Sequence, residues 1–226
     1  MSLKANFDLD KTKEFPSCLT SVIIPEGITS IGNNAFDSCT SLTDVTIPNS
    51  VTEIGLSAFY WCISLTEINL PNNLTTIRNN AFGSCRSLTS IKIPNTVTEI
   101  ESAAFEGCTS LQSIKIPYGI TTINQNTFSY CTELTDVEIP ESVTSIYGGA
   151  FDRCYKLTNI TIPSGVTWID CNAFTSCKSL TRIIPINNTI FRAIKPIHTM
   201  PCTLLNTVLF AFRLFQYMKC ALKICF

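Results

Sequence analysis

The chain repeats itself every 23 residues, and this period constrains its fold more than any other feature. Leu recurs at positions 19, 42, 65, 88, 111, 134, 157 and 180. Phe follows at positions 36, 59, 82, 105, 128, 151 and 174, and Cys at positions 39, 62, 85, 108, 131, 154 and 177. Seven full units, covering residues 19–179, run without an insertion. A fixed period of this length predicts a solenoid, in which each unit stacks only on its neighbours.

Each unit divides into three segments. The first, LTxIxIP, alternates apolar and polar residues and ends at Pro, which predicts a short strand. After a turn, VTxI predicts a second short strand on another side of the coil. The last segment, xxxAFxxCxS, has the apolar spacing of a short helical turn. We therefore expect stacked 23-residue coils with two short parallel β-sheets plus helical turns, and parallel strands about 4.8 Å apart.

Composition and charge argue against several functional classes. Hydrophobic residues make up 45% of the chain and charged residues 15%, which is too apolar for a disordered protein. Residues 1–189 carry 11 basic and 17 acidic side chains, a balance that disfavours a nucleic-acid groove. None of the twelve cysteines forms a CxxC pair, so the Cys column is interpreted as buried packing rather than as a metal or disulfide site. No metal or cofactor is expected.

Two segments lie outside the regular repeat. Residues 1–18 form a leader that repeats only part of a unit, and we interpret it as a degenerate N-terminal cap. The repeat domain then covers residues 19–189, with seven full units and a degenerate eighth unit at its end. Residues 190–226 are hydrophobic and basic, and residues 204–226 place their polar side chains on one stripe of a helix. Three interpretations of this tail stay open: a helix that seals the last coil, a membrane-surface helix or poor tail anchor, or a non-native end.

The N-terminal residues contain no apolar run of the kind that a secretory signal needs. On sequence alone, a reduced, cytoplasmic location is therefore expected. Catalysis has little support, because the single histidine, His198, lies in the irregular tail and no strand carries a nucleophile beside a base.

The outward positions of the first strand are the predicted binding face, since the inward positions are needed for packing. The ten residues are Asp44, Thr46, Glu67, Asn69, Ser90, Lys92, Ser113, Lys115, Asp136 and Glu138. Lys92 over Lys115 forms a basic centre with carboxylates on both sides, which suits a protein or peptide partner of mixed charge. The alternative is that these are ordinary strand-face residues kept polar for solubility. A second candidate is an aromatic cluster on the helical-turn side, formed by Tyr60, Trp61, Tyr130 and Tyr155.

The consensus LTxIxIPxxVTxIxxxAFxxCxS, over residues 19–179, resembles the BspA-like surface-antigen class of leucine-rich repeats. The resemblance implies a curved, right-handed leucine-rich-repeat solenoid that is not an enzyme. It also implies a binding scaffold for protein–protein interaction or cell-surface adhesion. We expect a protein or peptide as the ligand, with a glycan as the second candidate. Under this resemblance the chain is located at the cell surface or associated with a membrane. The alternative is an intracellular structural scaffold whose residues 204–226 contact a membrane surface.

Overall fold

A computed structural model of the chain describes residues 17–185, and this part is a β-solenoid of about seven coils. Most strands have two or three residues because each one occupies a single side of a coil. In chain order they are β1 Ser21–Ile23, β2 Ser30–Ile31, β3 Asp44–Thr46, β4 Glu53–Ile54, β5 Thr76–Ile77, β6 Glu99–Ile100, β7 Ser113–Lys115, β8 Thr122–Ile123, β9 Asp136–Glu138, β10 Ser145–Ile146, β11 Asn159–Ile162, β12 Trp168–Ile169 and β13 Arg182–Pro185.

Strand pairing follows the 23-residue period on two sides of the solenoid, and every pair is parallel. The second side, formed by the VTxI segments, contains the sheets β2–β4–β5–β6 and β8–β10–β12. The first side, formed by the LTxIxIP segments, contains the pairs β1–β3, β7–β9 and β11–β13, and an isolated bridge joins Ser90 to Ser113. Each residue pairs with the residue 23 positions later, as Ile31 does with Ile54. The predicted parallel stack is thereby confirmed.

Threonine side chains add a second set of bonds between coils. On the second side, the Thr52 hydroxyl donates to the carbonyl of Thr29 at 3.2 Å, and the Thr75 hydroxyl donates to Thr52 at 3.0 Å. On the first side, the Thr43 hydroxyl donates to Thr20 at 3.1 Å. A hydroxyl that bonds a neighbouring carbonyl competes with helix formation but fits a strand ladder, so the repeated Thr favours stacked coils.

The third side of each coil differs from the helical turn that the sequence predicts, and the described residues 17–185 contain no helix. Backbone N–H groups there bond alternately along the chain and to the next coil. Phe59 N–H donates to the Ala81 carbonyl at 2.8 Å, whereas Cys62 N–H donates back to the Phe59 carbonyl at 3.2 Å. Two residues in most coils have a positive φ, including Trp61 at 59° and Arg153 at 58°. These left-handed residues interrupt the right-handed run that a helix needs.

The interior is a single apolar core that runs the length of the stack. Seven Phe side chains, one from each coil, are buried and stack face to face with ring centroids 5.2–5.6 Å apart and planes within 16°. The Cys column is also buried, as predicted. Because each ring packs between rings of neighbouring coils, the core of one coil is completed only by the next.

The thiols of the Cys column do more than fill space. From Cys62 to Cys177, each thiol donates a hydrogen bond of 2.9–3.3 Å to the backbone carbonyl of the Phe in the preceding coil. This carbonyl is buried, and it accepts its other hydrogen bond from a backbone N–H in its own coil, as Phe59 does from Cys62. The thiol therefore links adjacent coils through a buried polar group.

At the C-terminal end of the described part, β13 pairs with β11, and Pro185 lies opposite Ile162. The eighth unit therefore continues the stack on the first side. Most of the predicted cap (residues 1–16) and the whole tail of residues 190–226, with His198, lie outside the described residues. Among residues 17–185 there is no helix long and apolar enough to cross a membrane.

Candidate partner-binding face

The first-side face consists of the ten outward residues named above, and the structure exposes all of them to solvent. Between the members of each outward pair lies an inward residue of the first strand. Val45, Ile68, Ile91 and Ile114 are buried at these positions, and Val137 is half-buried. Pleating explains the division, because neighbouring residues of an extended strand point to opposite faces. The face is thus supported by the same residues that build the core.

One ion pair lies on the first-side face. Lys115 Nζ is 2.7 Å from Glu138 Oε2 across adjacent coils, and both side chains are mostly exposed. The hydrogen bond that the Lys115 ammonium group donates to the Glu138 carboxylate raises the pKa of Lys115. Lys92, one coil earlier in the same column, is exposed and has no ion-pair partner among residues 17–185. The basic centre therefore divides into one neutralised lysine and one lysine whose charge is available to a partner.

The two ends of the first-side face have different chemistry. Asp44 and Glu67 occupy equivalent positions in consecutive coils, and neither has an ion-pair partner in the described part of the chain. They form a negative edge on the N-terminal side of Lys92. The outermost members of the Lys92 column are apolar and exposed, with Ile23 at 53% and Ile184 at 37%. Neither residue is among the ten predicted from the sequence, and the structure shows that both are exposed.

The four aromatic residues of the second candidate divide into two groups three coils apart. Tyr60 and Trp61 contact each other with their ring centroids 6.3 Å apart. The Arg153 guanidinium group lies 4.7 Å from the centroid of the Tyr130 ring. The Lys178 ammonium group lies at the same distance from the centroid of the Tyr155 ring. Cation–π contacts of this kind occupy one face of each ring. The structure therefore does not bring the four residues together into one patch.

Charged groups on the second side form a different network. Arg78 Nε lies 3.0 Å from Glu53 Oε1, and Arg78 Nη1 lies 2.8 Å from Glu101 Oε1, so one guanidinium group joins three coils. The hydrogen bonds that Arg78 donates to Glu53, and then those it donates to Glu101, raise the pKa of Arg78. Glu101 also accepts a bond from the Asn79 backbone N–H at 2.9 Å. Glu101 thus stabilises the stack, and Glu99 is an exposed strand residue.

Burial determines the chemistry of the cysteines. Loss of solvation raises the pKa of the Cys39 thiol to about 11 and that of the Cys108 thiol to about 12. A buried, protonated thiol is a poor nucleophile and a poor metal ligand. Among residues 17–185, no group of three or more His, Cys, Asp or Glu side chains could hold a metal ion. Cys18 is exposed and Cys171 is partly exposed, so these two thiols are accessible to reagents.

Three exposed aromatic residues were missed by the sequence analysis. Tyr118 is 67% exposed, Tyr147 45% and Trp168 46%. Trp168 lies in β12, and Tyr147 directly follows β10. The outward positions of the second strand also form columns at the 23-residue spacing. Tyr147 and Trp168 are the aromatic members of two such columns, which are otherwise polar or Gly, so the sequence contains the signal that identifies them.

Comparisons with known proteins agree with this architecture. The family model described as BspA type Leucine rich repeat region matches residues 11–131 and 98–208, in six copies. A leucine-rich repeat protein of T. pallidum is 37% identical, with a TM-score of 0.59 over 61% of this chain. A leucine-rich cell surface protein of Faecalibacterium prausnitzii is 29% identical, with a TM-score of 0.57 over 79% of this chain. The match spans 64% of each solved chain. No match is found among curated proteins.

Proposed function

Because the chain belongs to the BspA-type leucine-rich repeat family, we propose that it is a non-enzymatic scaffold that binds a protein partner through its first-side face. The observation that carries the proposal is the contrast between the inward and the outward face of each first-side strand. Inward residues form one continuous core, whereas the ten outward residues are all exposed and cover consecutive coils. A rigid, repetitive surface of this kind suits recognition of a large partner.

The charges of the first-side face favour a partner of mixed charge. Lys92 offers a cation with no ion-pair partner among residues 17–185, and Asp44 with Glu67 offers a negative edge nearby. Complementary charges steer association and fix the orientation of a complex. The exposed Ile23 and Ile184 side chains supply apolar contacts at the ends of the same column. A protein surface carrying both signs of charge meets these requirements better than a nucleic acid does.

We infer that the protein lies at the cell surface and acts in adhesion. This location is supported by the similarity to the F. prausnitzii cell surface protein. An extracellular location also suits a structure whose column thiols are buried and hydrogen-bonded, because buried thiols are protected from oxidants. Labelling of intact cells with a reagent that does not cross membranes tests the location. A protein that is labelled only after cell lysis contradicts it.

A charge-reversal pair tests the binding face. The double variant Lys92→Glu, Lys115→Glu should no longer capture the partner that the wild-type protein captures from cell-surface extracts. Its melting temperature should be unchanged, because both side chains are exposed. The matched control is Lys156→Glu with Lys178→Glu, which makes the same change of charge at exposed third-side positions. Quantitative affinity purification compares the variants. Equal capture by wild type and both double variants would exclude the first-side face.

A further inference from the structure

The second side of the last three coils carries a surface that the protein-binding proposal does not use. We call it the second-side platform, and it consists of the outward residues Thr122, Asn124, Ser145, Tyr147, Trp168 and Asp170. Sheet β8–β10–β12 supports it. Backbone bonds of 2.9 Å from Tyr147 to Ile123 and from Asp170 to Ile146 extend the ladder one residue beyond the strands. The platform is therefore part of the rigid stack.

The two aromatic residues of the platform lie in adjacent, paired coils. Trp168 lies opposite Ser145 in the adjacent coil, and Tyr147 is two residues beyond Ser145 on the same chain segment. Strand spacing and rise place the Cα atoms of Tyr147 and Trp168 roughly 8 Å apart. Both side chains are nearly half exposed, at 45% and 46%. Two exposed rings therefore lie on the same face of the sheet, in adjacent coils.

These rings have no aromatic or cationic contact, unlike the exposed aromatic residues Trp61 and Tyr130 of the third side. Trp61 lies against Tyr60, and Tyr130 lies under the Arg153 guanidinium group. Within residues 17–185, the rings of Tyr147 and Trp168 have no aromatic or cationic neighbour, and neither the hydroxyl nor the indole N–H has a hydrogen-bond partner. An amphipathic ring with an unused polar end is suited to a ligand that is itself both apolar and hydroxylated.

Hydrogen-bonding groups surround the two rings. The Asp170 Oδ1 atom accepts a bond from the Asn172 N–H at 2.9 Å, and Oδ2 has no partner among the described residues. The carboxylate lies against Gly148, the residue after Tyr147, where an added Cβ would be 3.3 Å from Oδ1. In the coil before, the side-chain Nδ2 of Asn124 donates to the Ile100 carbonyl at 2.7 Å, and the side-chain Oδ1 of Asn124 has no partner among the described residues and can accept. Acceptors on both sides of Tyr147 can therefore meet ligand hydroxyl groups.

The charge of the platform separates it from the same side of the earlier coils. There, the outward residues include Glu53, Arg78, Glu99 and Glu101, which form an ionic surface. On the platform, Asp170 is the single charged residue. A surface with one carboxylate and no cation offers little to an anionic ligand or to a strongly charged protein. Bare rings, acceptor groups and low charge together describe the complement of an uncharged sugar, whose C–H face is apolar and whose edge carries hydroxyl groups.

We propose that the second-side platform binds a neutral oligosaccharide. Tyr147 and Trp168 stack on the C–H faces of neighbouring sugar units, while Asp170 Oδ2 and the side-chain Oδ1 of Asn124 accept hydrogen bonds from sugar hydroxyl groups. The face continues across the three coils of the sheet, so it accepts an internal segment of a glycan chain. This site is separate from the first-side face, and either one can fail without the other.

Intrinsic fluorescence gives a direct test, because the chain contains two tryptophans, Trp61 and Trp168. In a Trp61→Phe background, Trp168 is the one remaining reporter. The full chain is titrated with neutral oligosaccharides built from glucose, mannose, galactose, xylose and N-acetylglucosamine. At least one class should produce a saturable change in emission. High salt should leave the affinity unchanged, since no ion pair contributes.

Variants copied from neighbouring coils keep the fold intact during the test. Trp168→Ser introduces the residue of the preceding coil at that position, and Tyr147→Asn introduces the residue found at Asn124. Each should weaken binding of the responsive oligosaccharide about tenfold or more in titration calorimetry. The matched control is Trp61→Ser, which removes an equally exposed indole from the third side and should leave the affinity unchanged.

Three results would overturn the proposal. The first is the absence of any emission change with the whole panel at millimolar concentration, which is the outcome expected if the platform serves a protein instead. The second is an affinity that survives Trp168→Ser and Tyr147→Asn. The third is tighter binding of sulfated or carboxylated glycans that high salt abolishes, which would assign recognition to the lysine and arginine side chains of the third side.

Discussion

Phe105 is the side chain whose removal tests the stacked core most sharply. It is fully buried in the fourth coil, and its ring centroid lies 5.5 Å from that of Phe82 and 5.6 Å from that of Phe128. Phe105→Ala removes a buried aromatic side chain and should cost about 3–5 kcal/mol of unfolding free energy. Phe105→Leu keeps most of the volume but loses two ring contacts, so about 1–2 kcal/mol is expected.

Urea denaturation followed by circular dichroism measures both variants. Trp61 lies two coils before Phe105 and Trp168 three coils after it, so single-tryptophan versions report each half of the stack. Coils that stabilise one another should shift both transitions to lower urea. A loss below about 1 kcal/mol for Phe105→Ala, or equal losses for Ala and Leu, would refute the buried, stacked assignment of the Phe column.

Two further predictions concern the third side and the thiols. Ser57 has a φ of 51°, a left-handed conformation that is strained for residues other than Gly. Ser57→Gly should therefore stabilise the fold by about 0.5–1 kcal/mol, whereas Ser57→Ala should not. Equal melting temperatures of the Ala and Gly variants would contradict this backbone strain. The unfolded Cys108 thiol ionises near pH 9, but burial raises the pKa of the native thiol to about 12. The contribution of this thiol to the unfolding free energy is therefore complete below pH 9. It is lost progressively as the pH rises from 9 towards 12, and about 1 kcal/mol of the loss falls between pH 9 and pH 10. Wild type and Cys108→Ala should converge by that amount in urea titrations, and parallel pH profiles would contradict the shift.

The period and the apolar columns are sufficient to predict the coils, the two strand positions and the buried Phe and Cys residues. These features depend on alternation within one unit and on repetition, both of which are visible in the sequence. The first-side residues could be listed for the same reason. Their ion pairing could not, because the Lys115–Glu138 contact depends on side-chain conformations across two coils.

The third side could not be predicted from local preference. The AFxxC spacing matches a helix, but the N–H of Phe59 is satisfied by Ala81 in the next coil rather than by its own segment. Positive φ values at Trp61 and Arg153 run against the intrinsic preference of those residues. Hydrogen bonds between coils stabilise this backbone, and no single 23-residue unit contains them. The Cys–Phe bonds were missed for the same reason, since donor and acceptor lie 26 positions apart.

Thiol accessibility tests most directly the central claim that the repeated columns face a shared interior. The native protein is treated briefly with an alkylating reagent, digested, and analysed by mass spectrometry for the modified fraction of each cysteine. The structure predicts that the column thiols from Cys39 to Cys177 stay unmodified while Cys18 and Cys171 react, and that all react in urea. Modification of the column thiols at the rate of Cys171 in the native protein would contradict the stacked solenoid.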